Sequence, residues 1–335
     1  MAKVVKLADI ASVLNVSTVT VSKALADKQG VSEEMREKIK VLAKEMGYRH
    51  PSSIKSESNI VNKNIGVIVS ERYLSQYTSF YWELYQNVVT QGSNKDCFTL
   101  LEVLNRQDEK NLVCPKIIRE KKVDGLIIIG KISKEFREKL YEVSQVPLLL
   151  LDFYDEKSQY DSVISDSYYG MYLMTNYLFE MGHKDIAYVG SLLATSSITD
   201  RYFGYCKSLL EHGVKVREEW VLSDRNIESG DIIINIPKNM PTAFVCNCDF
   251  VASVLIRELN KNGYRVPEDI SVVGFDNFLF PSLSNVGITT YEVDMKEMAI
   301  ISVEAILEKI QGTYKGGIKV VEGQVIIKES VKDIR

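Results

Sequence analysis

Between residues 65 and 274 the chain alternates short apolar runs with longer stretches of helical periodicity, and few folds accept that pattern. The runs cover residues 65–70, 97–103, 125–129, 147–151, 186–189, 243–245 and 271–274. Short apolar runs separated in this way predict an α/β body of parallel sheets with helices on both faces. In such sheets ligands sit beyond the carboxyl ends of the strands, so the residues after each run are the binding candidates. They are Phe80, Tyr81 and Trp82 after the first run, Asp152 and Phe153 after the fourth, Arg201 beyond the fifth, Asp249 after the sixth and Asp276 after the seventh. Carboxylates, a guanidinium and aromatic faces suit a polyhydroxylated or heterocyclic ligand. Each also has a plainer reading, as a helix cap or surface group: Asp276 can terminate a strand, and Arg201 can serve a structural ion pair.

At 335 residues the chain exceeds one typical core and suits a small domain joined to a large one. The net charge is −4, yet the first 60 residues carry 10 Lys and Arg against 7 Asp and Glu, net +3, which leaves −7 on the remainder. A basic head on an acidic body is the asymmetry expected when only the head meets phosphates. The five cysteines are scattered and odd in number, and the start has no secretory pattern, so a reduced, cytoplasmic protein is expected. No apolar run approaches the ~18 residues that span a bilayer. Cys246 and Cys248 lie two apart on one strand and read as small buried thiols rather than a metal or redox pair, because no further Cys or His is near in sequence. With no GxGxxG after a strand, no P-loop and no nucleophile–base pair, neither an enzyme nor a cofactor is expected.

The first fifty residues have a separate pattern. Leu7, Ile10, Ala11 and Leu14 recur at helical spacing, and the helix stops at Asn15. Ser17 then offers an N-cap for a second short helix that buries Val21, Ala24 and Leu25. Ser32 followed by Glu33 and Glu34 starts a third helix, which runs to Met46 and ends at Gly47. Two short helices tightly joined, with a third behind them, predict a helix-turn-helix whose second helix enters the major groove. Thr18, Val19, Ser22 and Lys23 are the residues that helix would expose. The plainer alternative is a small helical cap with solvated Ser and Thr.

Three segments, Leu7-Ala8-Asp9-Ile10-Ala11, residues 16–25 (VSTVTVSKAL) and Val31-Ser32-Glu33-Glu34-Met35-Arg36 through Met46-Gly47-Tyr48, resemble the head of the lactose-repressor (LacI/GalR) family. The resemblance implies that Thr18, Val19 and Lys23 face base edges while Ser17, Thr20 and Ser22 cap, support and touch phosphates. Lys23 can donate to guanine, Thr18 can bond or pack on a base, and Val19 can offer an apolar face to a thymine methyl. Residues 49–63, rich in Ser, Asn and Lys, read as a linker, which in that family folds on the operator and wedges a leucine into the minor groove. Here Ile54-Lys55-Ser56-Glu57 replaces the expected Ala-Arg-x-Leu, so either Ile54 is the wedge, with Lys55 beside it, or the site is bent less.

The resemblance continues through residues 181–187, 201–205 and 263–277 (MGHKDIA, RYFGY and GYRVPEDISVVGFDN) and so spans nearly the whole chain. It implies a head at 1–48, a linker at 49–63 and a body at 64–335. The body would hold two periplasmic-binding-protein-like subdomains, joined by three crossovers, that close on an effector and form a homodimer. By position Arg201 and Asp276 would contact that effector, Asp152 and Phe153 would form a variable pair, and Phe80 and Tyr81 would line the opposite wall. Cys248-Asp249 stands where the family has Asn-Asp, so a thiol replaces an amide. The chain ends eight residues after Ile327, which leaves no room for the tail that makes some relatives tetramers. His183 is expected to cap the carbonyls of the helix before it. The function implied is a repressor whose operator affinity is set by a sugar or related metabolite. The alternatives are a cytoplasmic small-molecule binding protein and a carbohydrate-active α/β enzyme.

Overall fold

In the computed structural model the described residues are 7–25, 28–46, 63–74, 79–155, 157, 159–226, 231–278 and 285–335. The chain divides into two compact units, Met1–Asn62 and Lys63–Arg335.

The first unit contains α1 (Leu7–Val13), α2 (Thr18–Leu25) and α3 (Glu33–Glu45). Asn15 takes a left-handed φ of 50° between the first two, a conformation that Asn tolerates because its short side chain bonds locally. Ser17 Oγ then accepts from the Thr20 amide at 3.1 Å and starts α2. Ile10, Ala11, Val21, Ala24, Ile39 and Ala43 close a core shared by all three helices.

The second unit begins with β1 (Asn64–Ser70), α4 (Phe80–Asn94), β2 (Phe98–Leu104), α5 (Arg106–Lys110), α6 (Lys116–Arg119), β3 (Gly125–Ile129), α7 (Lys134–Val143), β4 (Leu148–Leu151) and β5 (Ser162–Ser165). It continues with α8 (Ser167–Glu180), β6 (Ile186–Val189), α9 (Ser196–Glu211), β7 (Val221–Leu222), β8 (Ala243–Cys246), α10 (Asp249–Lys261), β9 (Ser271–Asp276) and β10 (Thr289–Glu292). It ends with α11 (Met295–Gln311), β11 (Ile318–Val321) and β12 (Gln324–Ile326). The strands form two sheets in the orders β11-β5-β4-β3-β1-β2 and β12-β10-β9-β8-β6-β7. All neighbouring pairs of named strands are parallel except β10 with β12. Each sheet thus carries a doubly wound core in which the direction of winding reverses beside its first strand.

Strand parity decides which helices cover which face. Ile127, Ile129, Leu149 and Leu151 pack in one cluster with Leu84, Val88 and Ile306 of α4 and α11. Their neighbours Leu126, Ile128, Leu148 and Leu150 pack with Phe136 and Leu140 of α7. Burial on both faces is why these strands read as unbroken apolar runs. Among the described residues, no helix is long and apolar enough to cross a membrane.

The chain passes between the two lobes three times, at Asp166, at Val293–Asp294 and at Glu322–Gly323. Asp166 and Asp294 are N-caps, accepting from Tyr169 and Glu297 amides at 3.1 and 2.8 Å, so two crossovers are also helix starts. The crossovers touch one another: the Asp166 amide donates to Val321 O at 3.0 Å, and the Gly323 amide to Tyr291 Oη at 2.7 Å. A side chain at Gly323 would collide with the Glu292 carbonyl, so this passage requires glycine.

His183 departs from its expected role. The amides of Gly182 and His183 close the end of α8, while the buried ring lies 2.9 Å from Thr242 Oγ1 and donates through Nε2 to Lys332 O at 3.1 Å. It ties the last residues to the second sheet instead of capping carbonyls. The left-handed turn at Gly182, φ +91°, is what points it there.

Gly204 lets α9 lie directly on the backbone of α8, since a Cβ there would overlap Tyr168 O. Gly204→Ala is expected to cost about 1–3 kcal/mol through this overpacking and to lower the midpoint of thermal unfolding. An unchanged midpoint would mean that the helices separate freely.

Candidate functional site

In the head, α2 turns Val21 and Ala24 inward, which leaves Ser17, Thr18, Val19 and Lys23 exposed and Thr20 and Ser22 half-buried. Val19 is 60% exposed, an apolar side chain that the head's own core does not use. Thr20 Oγ1 lies 2.9 Å from Ser17 Oγ, so these two hydroxyls support the turn. Lys23 runs beside Gly30, near the start of α3. The surface is therefore a short helix capped by Ser17, with exposed hydroxyls, one apolar tip and one ammonium. That set can read base edges while touching phosphates. Ile54 and Lys55 lie outside the described residues.

In the body, the sheet orders place the winding reversals between β1 and β3 and between β6 and β8, and the loops there face a cleft between the lobes. Arg201, from the first turns of α9, is its central cation and is 5% exposed. Its Nη1 donates to Asn247 O at 2.6 Å and its Nε to Ser167 Oγ at 3.3 Å, while the guanidinium lies 3.8 Å from the Phe275 ring centroid. Nη2 lies 3.1 Å from Asp276 Oδ1. From the other lobe Tyr81 donates to Asp152 Oδ2 at 2.9 Å. Asp152 and Asp276 both adopt left-handed backbone, φ 67° and 99°, as does Asn277 at 50°. Such strain costs on the order of 1–3 kcal/mol per residue and collects where a side chain must be aimed.

The carboxyls are perturbed by burial. Desolvation pushes Asp152 up to about 6, against the pull of Arg201 and the Tyr81 hydroxyl. Desolvation likewise raises Asp276 to about 7, opposed by Arg201 and reinforced by Asp152. Asp249 rises to about 8 through burial and the charge of Asp276. Asp249 acts from below: it starts α10, accepts from the Phe278 amide at 3.1 Å, and fits only because Gly274 has no side chain. It holds the loop after β9.

Aromatic rings complete the walls. Ser79 caps α4 and so sets Phe80 and Tyr81 in its first turn. Tyr81 packs at 4.6 Å on Tyr73, and Phe80 meets Phe278 of the other lobe edge-on at 6.2 Å. Trp82 turns to Tyr85 instead. Phe153 is not brought to the cleft. The left-handed turn at Asp152 resets strand parity, so Phe153 is buried with Leu148, Leu150 and Phe136 on the outer face of the first sheet. Cys248 is the N-cap of α10, with burial pushing its thiol up to about 12. Cys246 lies in the core beneath. Among the described residues, no cluster of His, Cys, Asp and Glu could hold a metal.

Several cleft residues escaped the sequence. Asn247 bonds Val189 O at 3.0 Å and Asp224 Oδ2 at 2.9 Å, and Asp224 in turn grips Arg225. Asp224 and Arg225 follow β7, a strand of two residues that leaves no apolar run to notice. Lys131 Nζ to the Leu193 and Ala194 carbonyls at 3.1 and 3.3 Å, and Tyr154 to Asp200 at 2.9 Å, also span the lobes. Position after the run of residues 243–245 could have flagged Asn247, but nothing local marks the others.

Residues 6–52 match the model of bacterial regulatory proteins of the lacI family, and residues 175–331 match that of the periplasmic binding protein-like domain. The chain is 27% identical to the HTH-type transcriptional repressor PurR of Vibrio campbellii over 97% of its length and 98% of the relative's. It is 26% identical to PurR of Pasteurella multocida over 97% and 98%. Two solved structures share the fold at a TM-score of 0.68. One is the Lac repressor dimer bound to operator and the anti-inducer ONPF, at 22% identity over 98% of this chain and all of that one. The other is the transcriptional regulator CelR–cellobiose complex, at 20% over 97% and 99%.

Asp152 and Asp276 hold their protons more tightly in the folded chain than in the unfolded one, where Asp titrates near 3.8. Between pH about 4 and about 7 the folded chain therefore carries the extra protons, so the stability the cleft contributes declines as pH rises through that window. Asp276→Asn should flatten the decline when the thermal midpoint is followed from acid to neutral pH. Parallel pH profiles for variant and wild type would refute this assignment.

Proposed function

The chain belongs to the lacI family of bacterial regulatory proteins, DNA-binding repressors with an effector-binding body rather than enzymes, and we propose that its effector is a hydroxyl-rich small molecule of the sugar class. One observation carries this reading: in a buried cleft Asp276 pairs with Arg201 at 3.1 Å, and Asp152 of the opposite lobe lies within electrostatic reach of the same guanidinium. Closing the lobes desolvates two carboxylates against one cation. A ligand that donates hydroxyls to both relieves that cost, and so binds the closed body better than the open one. The flanking rings of Tyr73, Tyr81, Phe80 and Phe278 suit the apolar faces of a sugar ring. The CelR–cellobiose complex, a solved structure of the same fold, supports the class without identifying the compound.

The ligand acts on DNA through the dimer. Two heads read the halves of a pseudo-palindromic operator, and lobe closure changes how they are held. Ser17, Thr18, Val19, Thr20, Ser22 and Lys23 form the reading surface, and Ile54 and Lys55 of the linker are further candidates for DNA contact.

A thermal-shift screen of sugars and purines should find a stabilising sugar, because a ligand of the native state raises the unfolding midpoint. Arg201→Ala and Asp276→Ala should each abolish that rise. A purine as the sole stabiliser, or a sugar response indifferent to both substitutions, would sink the reading. For the head, duplexes selected from a random library should contain two inverted half-sites. Lys23→Ala is expected to weaken binding about tenfold or more and to relax selection at one base pair in each half, since a good base contact is worth about 1–3 kcal/mol. Uniform weakening at every position would instead make Lys23 a phosphate contact.

A further inference from the structure

We propose that the cavity beside β7 is an anion subsite of the effector cleft, in which Arg225 takes a carboxylate or phosphate group of the ligand. This rests on the reading of the body as an effector receptor and names the ligand's charge.

The cavity has a volume of about 350 Å³ and is lined by Leu222, Ser223, Arg225, Asn226, Ile233 and Asn235 with Val221 at its edge. Among the described residues of this lining Arg225 is the sole charged group. Its guanidinium is fixed from behind. Nε lies 3.0 Å from both Asp224 oxygens and Nη2 lies 2.5 Å from Oδ2. Asp224 is fully buried and is itself held by the Ser191 amide and the Asn247 side chain, each at 2.9 Å. The ion pair therefore uses only the Nε–Nη2 edge.

The Nη1–Nη2 edge remains. Nη1 has no hydrogen-bond partner among the described residues, and the side chain is 25% exposed. A guanidinium presents donors along both edges, and the end-on edge matches two oxygens of one carboxylate or phosphate. Each of the three nitrogens of Arg201 already has a partner, in Asn247 O, Ser167 Oγ and Asp276. Of these two cleft arginines, Arg225 is thus the one with a whole nitrogen, Nη1, left without a partner among the described residues. Hydrogen bonds link it through Asp224 and Asn247 to Arg201, so the subsite continues the cleft rather than standing apart from it. A ligand with hydroxyls for Asp152 and Asp276 and an anionic group for Arg225 is an acidic sugar, either a sugar acid or a sugar phosphate.

The test measures thermal stabilisation of the full-length protein by acetate and by inorganic phosphate, against chloride at matched ionic strength. Wild type, Arg225→Gln and Arg225→Lys are compared. The lysine variant keeps a cation against buried Asp224, and so keeps the fold, but loses the two-pronged edge. Wild type should respond to at least one anion at a concentration tenfold or more below that needed by either variant. Preference for acetate assigns a carboxylate, and preference for phosphate a phosphoryl group. Equal responses in all three proteins, or none in wild type, overturn the proposal. The sugar reading is tested apart, by whether Arg201→Ala removes the response to neutral hexoses while the Arg225 variants retain it.

Discussion

The body depends on one buried guanidinium. Arg201 reaches from α9 to the Asn247 carbonyl at the end of β8, to Ser167 at the first crossover, and to the face of Phe275 and the carboxylate of Asp276 at the end of β9. A buried charge survives only when it is paired and hydrogen-bonded, so each of these groups is held where Arg201 needs it. Without this cation, Asp276 would lose its partner at 3.1 Å and Asp152 the nearby charge that favours its ionised form. The left-handed backbone at both aspartates is compatible with this arrangement because their neighbours over-determine it.

From that pairing follows the way a small ligand can have a large effect. The lobes touch through three crossovers and a few contacts across the cleft, notably Lys131 with the Leu193 and Ala194 carbonyls and Tyr154 with Asp200. Each lobe has its own sheet and its own layers of helices, and at the crossovers between them two helix caps and one glycine set the chain direction. A ligand shifts such an equilibrium only by interacting differently with the two states. In the proposed reading, carboxylates contributed by opposite lobes supply that difference, since they would meet a common ligand only when the lobes close.

Much of this was legible because burial on both faces leaves a strand no polar positions. The seven apolar runs became β1, β2, β3, β4, β6, β8 and β9. Five strands escaped: Ser162–Ser165 and Thr289–Glu292 carry hydroxyls, Val221–Leu222 is two residues long, and Ile318–Val321 and Gln324–Ile326 are short edge strands, exposed or half-buried except at Val321. Reading the residues after each run found Tyr81, Asp152, Arg201 and Asp276, all of which lie in the cleft, but also Phe153, which does not. Alternation alone cannot register a left-handed residue, and Asp152 is one. His183 was misread for a related reason, as its partners Thr242 and Lys332 lie 59 and 149 residues away.

The sequence by itself determined the class of the three head helices and of the seven buried strands. Capping residues and apolar period are local, so α1 to α3, the buried strands and the motif resemblance could all be read along the chain. Only the tertiary structure decided the chemistry of the cleft. The pairing of Arg201 with Asp276, the elevation of Asp152 by burial, and the grip of Asp224 on one edge of Arg225 each depend on distances and desolvation. Electrostatic strength is set by what surrounds a charge in space, and residue order does not carry that information until the sheets have assembled.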